Sequence, residues 1–355
     1  MPTIDSTELS SLLDELYLLL SESAEYQRDP VLQDALQQVA LLVLKHCQRV
    51  AQAKRRYTIA VVGLSNVGKS TLLNALLGAD LSPRRNGPCT ALPIEFCYGD
   101  HPFVCLREPN SIERQVVAWS DPGHLHRLLA SWSAQGANMR SKLSVHLPHP
   151  LLAEGLVLAD TPGFGAAQFD QELGSHDSAV QRYLQEQVSQ VFWVVLGEQG
   201  IGQREIKFRD QYFADHCDDL IVTLGEEWSA SDKARFRDRF RGQFHRNAPQ
   251  FHFVAPLSVH STQETRSPEQ LEGSGIHLLQ QRITELSDPH ARQTTLISQT
   301  LHTAANWSEW YREYVVSKGR KTGSLWRPDS RSRWQAVARR TSIGQQIDRS
   351  LTGGN

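Results

Sequence analysis

Leu9, Leu12, Leu13, Leu16, Leu19 and Leu20 recur at three- and four-residue intervals, the spacing that gathers side chains on one face of an α-helix. The pattern breaks at Asp29-Pro30 and resumes through Leu32, Leu36, Val39, Val43 and Val50. Asp can accept from the free N–H groups of a first helical turn, and Pro has its φ preset for that turn. Residues 7–54 therefore predict two helices, the second ending in the cations Lys54, Arg55 and Arg56, which suit a helix C-terminus. From Tyr57 the period changes. Short apolar runs at 58–62, 94–97, 156–159, 191–196, 220–224 and 251–254 alternate with helical stretches at 70–77, 176–188, 204–214 and 232–244. Ile276, Leu279, Ile283 and Leu286 mark a closing helix, and Asp288-Pro289 starts another that carries Ile297, Leu301, Ala304, Tyr311 and Tyr314. Strands alternating with helices predict an α/β sheet.

Composition narrows this further. No uninterrupted apolar run is longer than that at 191–196, far short of the ~20 residues that span a bilayer. The first residues show no basic segment leading into an apolar one, so no signal peptide is expected. Five cysteines, with no CxxC pair, fit a reducing compartment better than a disulfide framework, and the expected location is cytoplasmic. With 37 basic and 39 acidic residues the net charge is −2, which argues against nucleic acid as the partner. The ends are nonetheless polarised. Residues 1–29 carry seven acidic side chains against Arg28 alone, and residues 318–349 carry nine basic against two acidic.

Between the run 58–62 and the helical stretch 70–77 lies Gly63-Leu64-Ser65-Asn66-Val67-Gly68-Lys69-Ser70, a complete GxxxxGK[ST] phosphate loop in the strand-to-helix setting it requires. Such a loop turns the backbone N–H groups of Ser65, Asn66, Val67, Gly68, Lys69, Ser70 and Thr71 towards phosphates, where the helix N-terminus adds partial positive charge. Lys69 would reach the β- and γ-phosphates, and the Ser70 hydroxyl would ligate Mg²⁺. A second element, Asp160-Thr161-Pro162-Gly163, follows the run 156–159 at the sheet's carboxyl edge. Asp160 is placed to hold Mg²⁺ through water and the Gly163 N–H to sense the γ-phosphate.

Over residues 57–286 these motifs resemble the P-loop GTPases of the dynamin-like family. The resemblance implies a doubly wound P-loop NTPase fold, a dynamin-like G domain with flanking N- and C-terminal helices. It also implies GTP and Mg²⁺ as ligands, hydrolysis to GDP and phosphate, and self-association through the G domain in a nucleotide-controlled assembly switch. Gly87-Pro88-Cys89-Thr90-Ala91-Leu92-Pro93 is similar to the family's switch segment, which implies that Thr90 closes over the γ-phosphate and Mg²⁺ and shares the catalytic work with Lys69. Residues 91–159, a stretch of 69, are much longer than in a small Ras-like domain, an insertion that fits the dynamin-like family. The string from Asn66 to Asn74 is equally similar to translation and tRNA-modification GTPases. An RNA- or ribosome-associated GTPase and a non-hydrolysing nucleotide-dependent scaffold are therefore the rival readings.

Several positions depart from the family pattern. Guanine is normally read by [NT]KxD at the end of a later strand, and the matching segment here is Thr223-Leu224-Gly225-Glu226. Thr223 fits, Leu224 replaces the lysine, and Glu226 offers a carboxylate one methylene too long, so a plain strand end entering a turn is an open alternative. Phe164 stands where Ras-type proteins carry a water-orienting glutamine. Asn66 occupies the position at which the resemblance implies a monovalent cation, or else it braces the loop. His124, His126, His146 and His149 have near-ligand spacing without neighbouring cysteines or carboxylates and are read as surface residues. Arg84 and Arg85 are read as a solvated pair.

The chain thus divides into neck-like N-terminal helices (1–56), the GTPase domain (57–286), a helix packing on the N-terminal ones (287–317) and a basic tail (318–355). The tail suits either the acidic N-terminus or an anionic membrane surface touched peripherally. About 70 residues after the GTPase domain are too few for the long stalk and lipid-binding tip of a full dynamin-like protein.

Overall fold

β1 (Tyr57–Val62) is buried at all six positions, as a strand flanked on both sides and covered on both faces must be. It runs parallel to β6 (Leu156–Asp160) on one side and to β7 (Gln190–Leu196) on the other. The computed structural model to which it belongs describes residues 29–31, 33–34, 49–50, 53, 55–83, 93–107, 114–134, 142–163, 176–213, 219–224, 228–244, 249–255, 273–297 and 299. The chain forms two compact units, one of residues 55–291 and one of residues 1–54 with 292–355.

Within the larger unit, among the described residues, nine strands form one sheet in the order β4-β3-β5-β2-β6-β1-β7-β8-β9. β8 (Asp219–Thr223) and β9 (Gln250–Val254) extend the parallel half beyond β7. On the other side β2 (Ile94–Tyr98) pairs antiparallel with β6 and parallel with β5 (Lys142–Leu147). β3 (Phe103–Arg107) and the edge strand β4 (Arg114–Ala118) follow in antiparallel pairing. The helices are α1 (Lys69–Leu77), α2 (Pro122–Ala134), α3 (His176–Glu186), α4 (Gln203–Tyr212), α5 (Ala230–Arg241) and α6 (Ile276–Glu285).

The fold is therefore the expected doubly wound α/β sheet, with a mixed extension. All six strands expected from the apolar runs are present, each within one residue at its ends. The long insertion between the two phosphate motifs adds β3, β4, β5 and α2, none of which the apolar pattern had singled out. The chain steps from β1 to β6 on one side and then to β7, β8 and β9 on the other. This reversal puts the switch point, where such sheets bind ligands, at the carboxyl ends of β1 and β7, with the end of β6 on the other side of β1.

Two polar clusters hold the sheet away from that edge. At the amino ends, Tyr57 Oη donates to Gln190 Oε1 (2.9 Å), and Gln190 Nε2 donates to Asp219 Oδ2 (2.5 Å). Asp219 Oδ1 meets His252 Nε2 at 2.7 Å, so β1, β7, β8 and β9 are linked in one network. The extension is tied in by Glu95, which pairs with Arg56 (2.7 Å) and accepts from Tyr183 Oη (3.0 Å). An apolar core of Trp193, Phe213, Phe236, Phe240 and Phe251 lies beside the parallel half.

In the smaller unit, Asp29 Oδ1 accepts from Val31 N (3.1 Å), the cap expected of Asp29-Pro30. Arg292 Nη1 donates to Ala53 O (3.4 Å) and Gln293 Nε2 to Val50 O (3.5 Å), so the described parts of the two chain ends touch within this unit. Most of the two helices expected at 7–54, the helix beyond 299 and the basic tail lie outside the described residues.

Candidate functional site

β1 hands over to the phosphate loop at Gly63, where a Cβ would stand 2.3 Å from the Val194 carbonyl oxygen, so no side chain fits. The loop then turns through two left-handed residues, Asn66 (φ 65°) and Gly68 (φ 94°), before entering α1 at Lys69. Asn is among the few side-chain-bearing residues that adopt this conformation readily, and Gly has no Cβ to oppose it. Gly68 caps α1 without a side-chain hydrogen bond, so the first-turn N–H groups have no side-chain acceptor there. That is the backbone arrangement a phosphate requires.

Lys69 is buried, and its Nζ donates to Leu64 O at 2.6 Å, across the loop it belongs to. Burial pulls its ammonium pKa down to about 8, while the Asp160 charge pulls the other way. The Ser70 hydroxyl donates to Asp160 Oδ2 at 2.7 Å, and the Ser82 hydroxyl donates to the same oxygen. Asp160 is almost wholly buried, which raises its carboxyl above the ordinary range against the lowering effect of Ser82, Ser70 and Lys69. Its second oxygen, Oδ1, is buried with no hydrogen-bond partner among the described residues. A buried carboxylate oxygen without a donor, next to a serine hydroxyl at a helix N-terminus, fits a hard divalent cation, and Mg²⁺ is commonly held by one carboxylate plus substrate phosphates. Among the described residues no cluster of three His, Cys, Asp or Glu forms a protein-only metal site.

Thr161 Oγ1 donates to Val61 O (2.7 Å), which pins the end of β6 to the end of β1. Gly163 then passes so close to the phosphate loop that a Cβ would lie 2.6 Å from Ser65 Oγ and 2.7 Å from Ser65 N. The two phosphate motifs are thus brought together at one end of the sheet. Thr223 joins them from β8: its Oγ1 lies 2.9 Å from Val67 O and 3.2 Å from Val195 O. Its hydroxyl therefore braces the phosphate loop from below. Leu224, in the lysine position, is left-handed (φ 55°).

Asn74 and Ser82 were not singled out from the sequence, yet they complete the site. Asn74 is fully buried in α1 and accepts from Leu81 N (3.0 Å) and Ser82 N (2.7 Å). Its Nδ2 lies 2.9 Å from both Asp80 Oδ1 and Ser82 O. A lone Asn among Leu72, Leu73, Ala75, Leu76 and Leu77 was the available signal.

Thr90, Phe164, Glu226, Arg84 and Arg85 lie outside the described residues. Two of the histidines have local tasks. His149 Nδ1 accepts from Leu151 N (3.2 Å), and His146 stacks on Phe103 with ring centroids 4.2 Å apart.

Residues 59–225 match the dynamin family. A curated relative, a bacterial dynamin-like protein of Nostoc punctiforme, is 28% identical over 125 residues, which cover 33% of this chain and 18% of that protein. Among solved structures, an oligomerised bacterial dynamin pair, described as a mechanism for long-range sensing and tethering of membranes, aligns with 92% of this chain and 47% of its own, at 16% identity and a TM-score of 0.46. A variant of Aquifex aeolicus Era bound to GDP·AlF4⁻ aligns with 65% of this chain and 56% of its own, at 16% identity and a TM-score of 0.36. The chain thus spans less than half the length of the bacterial dynamins it matches. With a complete phosphate loop at the switch point of a doubly wound sheet and a dynamin-family match running from β1 to just past β8, residues 59–225 form a domain of the dynamin-like P-loop GTPase superfamily.

Proposed function

We propose that residues 57–286 bind GTP with Mg²⁺, hydrolyse it to GDP and phosphate, and use the cycle to control self-association. The observation that carries this reading is the unpartnered Oδ1 of buried Asp160 beside the Ser70 hydroxyl, at the head of a helix that follows a complete phosphate loop. The backbone of Ser65, Asn66, Val67, Gly68 and Thr71 cradles the phosphates. Lys69 exchanges its bond to Leu64 O for the β- and γ-phosphates. Ser70, Asp160 and Thr90 form the metal side of the site, and Gly163 N–H reports the γ-phosphate. Mg²⁺, when bound, neutralises charge that develops on the phosphate oxygens. Thr90 orients the attacking water, because Phe164 has no group that can. A monovalent cation at Asn66 is the natural supplement to its charge. Thr223 holds the loop beneath the nucleotide, and Glu226 pairs with the base.

Two peripheral roles complete the proposal. Residues 1–56 and 287–317 form the helical neck of the assembly, and the basic tail 318–355 touches anionic membrane from the cytoplasmic side. The related pair described as sensing and tethering membranes makes that surface the first to try.

Equilibrium titration with fluorescent GTP and ATP analogues tests the reading, together with multiple-turnover phosphate release. Wild type should prefer GTP and turn it over, whereas Lys69→Ala should bind neither while keeping its melting temperature. A folded Lys69→Ala that binds GTP as well as wild type overturns the assignment. Binding without turnover favours the non-hydrolysing scaffold.

A further inference from the structure

Ser82 follows α1 and lies five residues before Gly87, where the segment that resembles a switch begins. It is fully buried, and its hydroxyl donates to Asp160 Oδ2. That oxygen also takes the Ser70 hydroxyl at 2.7 Å, while among the described residues Oδ1 takes none. Two donors therefore share one oxygen of a buried carboxylate. Ser82 cannot easily leave this post, because Asn74 holds both its backbone N–H (2.7 Å) and its carbonyl (2.9 Å). Asn74 belongs to α1, the helix that begins with Lys69 and Ser70, so Ser82 is fixed to the same rigid body as the phosphate loop.

Ser70 is differently placed. Its hydroxyl can donate to Asp160 Oδ2 and offer a lone pair to a metal at the same time, and the orientation of the carboxylate then depends on the donors that hold Oδ2. We propose that Ser82 is a positioning residue of the magnesium–nucleotide site: its hydrogen bond, from a backbone held by α1, anchors Asp160 by Oδ2 so that Oδ1 stays available to the metal. The proposal rests on the nucleotide reading above and deepens it. Packing alone gives no reason for a serine at this fully buried position, which alanine would fill nearly as well. Among the described residues the hydroxyl has one acceptor, Asp160.

The test uses the full chain, a fluescent GDP analogue and a Mg²⁺ titration of its retention, alongside its affinity in EDTA. Ser82→Ala removes the hydroxyl, whereas Ser82→Thr and Ser82→Val have the same shape as each other with and without it. One lost hydrogen bond to a charged group predicts a half-saturating Mg²⁺ concentration raised at least about tenfold in Ser82→Ala and Ser82→Val. Ser82→Thr should lie near wild type, and the affinity in EDTA should be the same for all four proteins. An unchanged Mg²⁺ requirement in Ser82→Ala, equal behaviour of the Thr and Val variants, or an equal loss with and without Mg²⁺ overturns the positioning role. A wild type that fails to retain the analogue at any Mg²⁺ concentration overturns the nucleotide reading itself and this proposal with it.

Discussion

Asn74 uses both ends of its side-chain amide, and this makes it the most consequential single residue of the site apart from Lys69. Truncation to alanine would leave Leu81 N, Ser82 N and Ser82 O buried without their partner. Each such group costs about 1–3 kcal/mol, so Asn74→Ala should destabilise the nucleotide unit by at least about 2 kcal/mol in urea unfolding. A change below about 0.5 kcal/mol, the range of ordinary surface substitutions, would show that water replaces the amide. Cys97 behaves differently. Burial, with the nearby Glu95 charge, pushes its thiol from 9.0 up to about 12. The thiolate is the reactive form, so Cys97 should resist iodoacetamide at pH 8 in the native protein and label only on unfolding, as read by peptide mass mapping. The same shift has a stability consequence. Between about 9 and 12 the unfolded chain holds fewer protons at this thiol than the native one, so Cys97 makes stability fall as pH rises through that window. Base selectivity is also decided residue by residue. Leu224 cannot supply the interactions of the usual lysine, and the Thr223 hydroxyl is engaged with the Val67 and Val195 carbonyls. A site built to pair a polar edge reaches 10⁴–10⁵-fold discrimination, and this one should prefer GTP over ATP by less than about 10⁴ in competitive titration.

Among the elements, β1 and β7 approach closely where the phosphate loop begins. Gly63 leaves β1 against the Val194 carbonyl, and a Cβ at 2.3 Å from that oxygen would have to push apart two buried parallel strands. Neither strand can yield at little cost, because both are buried along their length and anchored at their amino ends by the Tyr57–Gln190–Asp219 network. Gly63→Ala should therefore cost about 3 kcal/mol of stability and weaken nucleotide binding together. A variant that keeps its melting temperature while losing nucleotide would show that the strain stays within the loop. The insertion elements answer to weaker signals. β5 alternates Leu143, Val145 and Leu147 with Ser144 and His146, a legible strand pattern, whereas β4 is exposed at four of its five positions and has almost no apolar side to read. An edge strand bonded on one side only forms because β3 is already there to pair with it.

For the molecule as a whole, hydrolysis and surface contact are the properties to measure. Phe164 offers no group to orient water, and no arginine finger is identifiable from the sequence. Turnover in dilute protein should be near 10⁻³ s⁻¹ or lower and should rise with protein concentration if self-association completes the site. A fast, concentration-independent rate would reveal a catalytic group outside those named here. The tail belongs to this scale too. Residues 318–349 carry nine basic against two acidic side chains, and the unit of residues 55–291 is compact without them. Deleting 318–355 should leave GTP affinity unchanged and reduce salt-sensitive binding to vesicles rich in phosphatidylserine. If deletion instead abolishes nucleotide binding, the tail is part of the fold that supports the site.

Local chemistry was enough to recognise the phosphate loop, the Asp160–Gly163 motif, the six apolar strands and the Asp-Pro helix starts. Each depends on residues adjacent in the chain, where spacing and backbone preference act directly. The same holds for the doubly wound class, since strands alternating with helices leave few other ways to bury both faces of a parallel sheet. What could not be read was everything set by partners distant in the chain. Thr223 braces Val67 across 156 residues, and Ser82 meets Asp160 across 78. No local pattern distinguishes a serine that will be buried on a carboxylate from one left in water. Only the folded sheet brings the end of β6 beneath the chain leaving α1, and burial there gives the Ser82 hydroxyl its value.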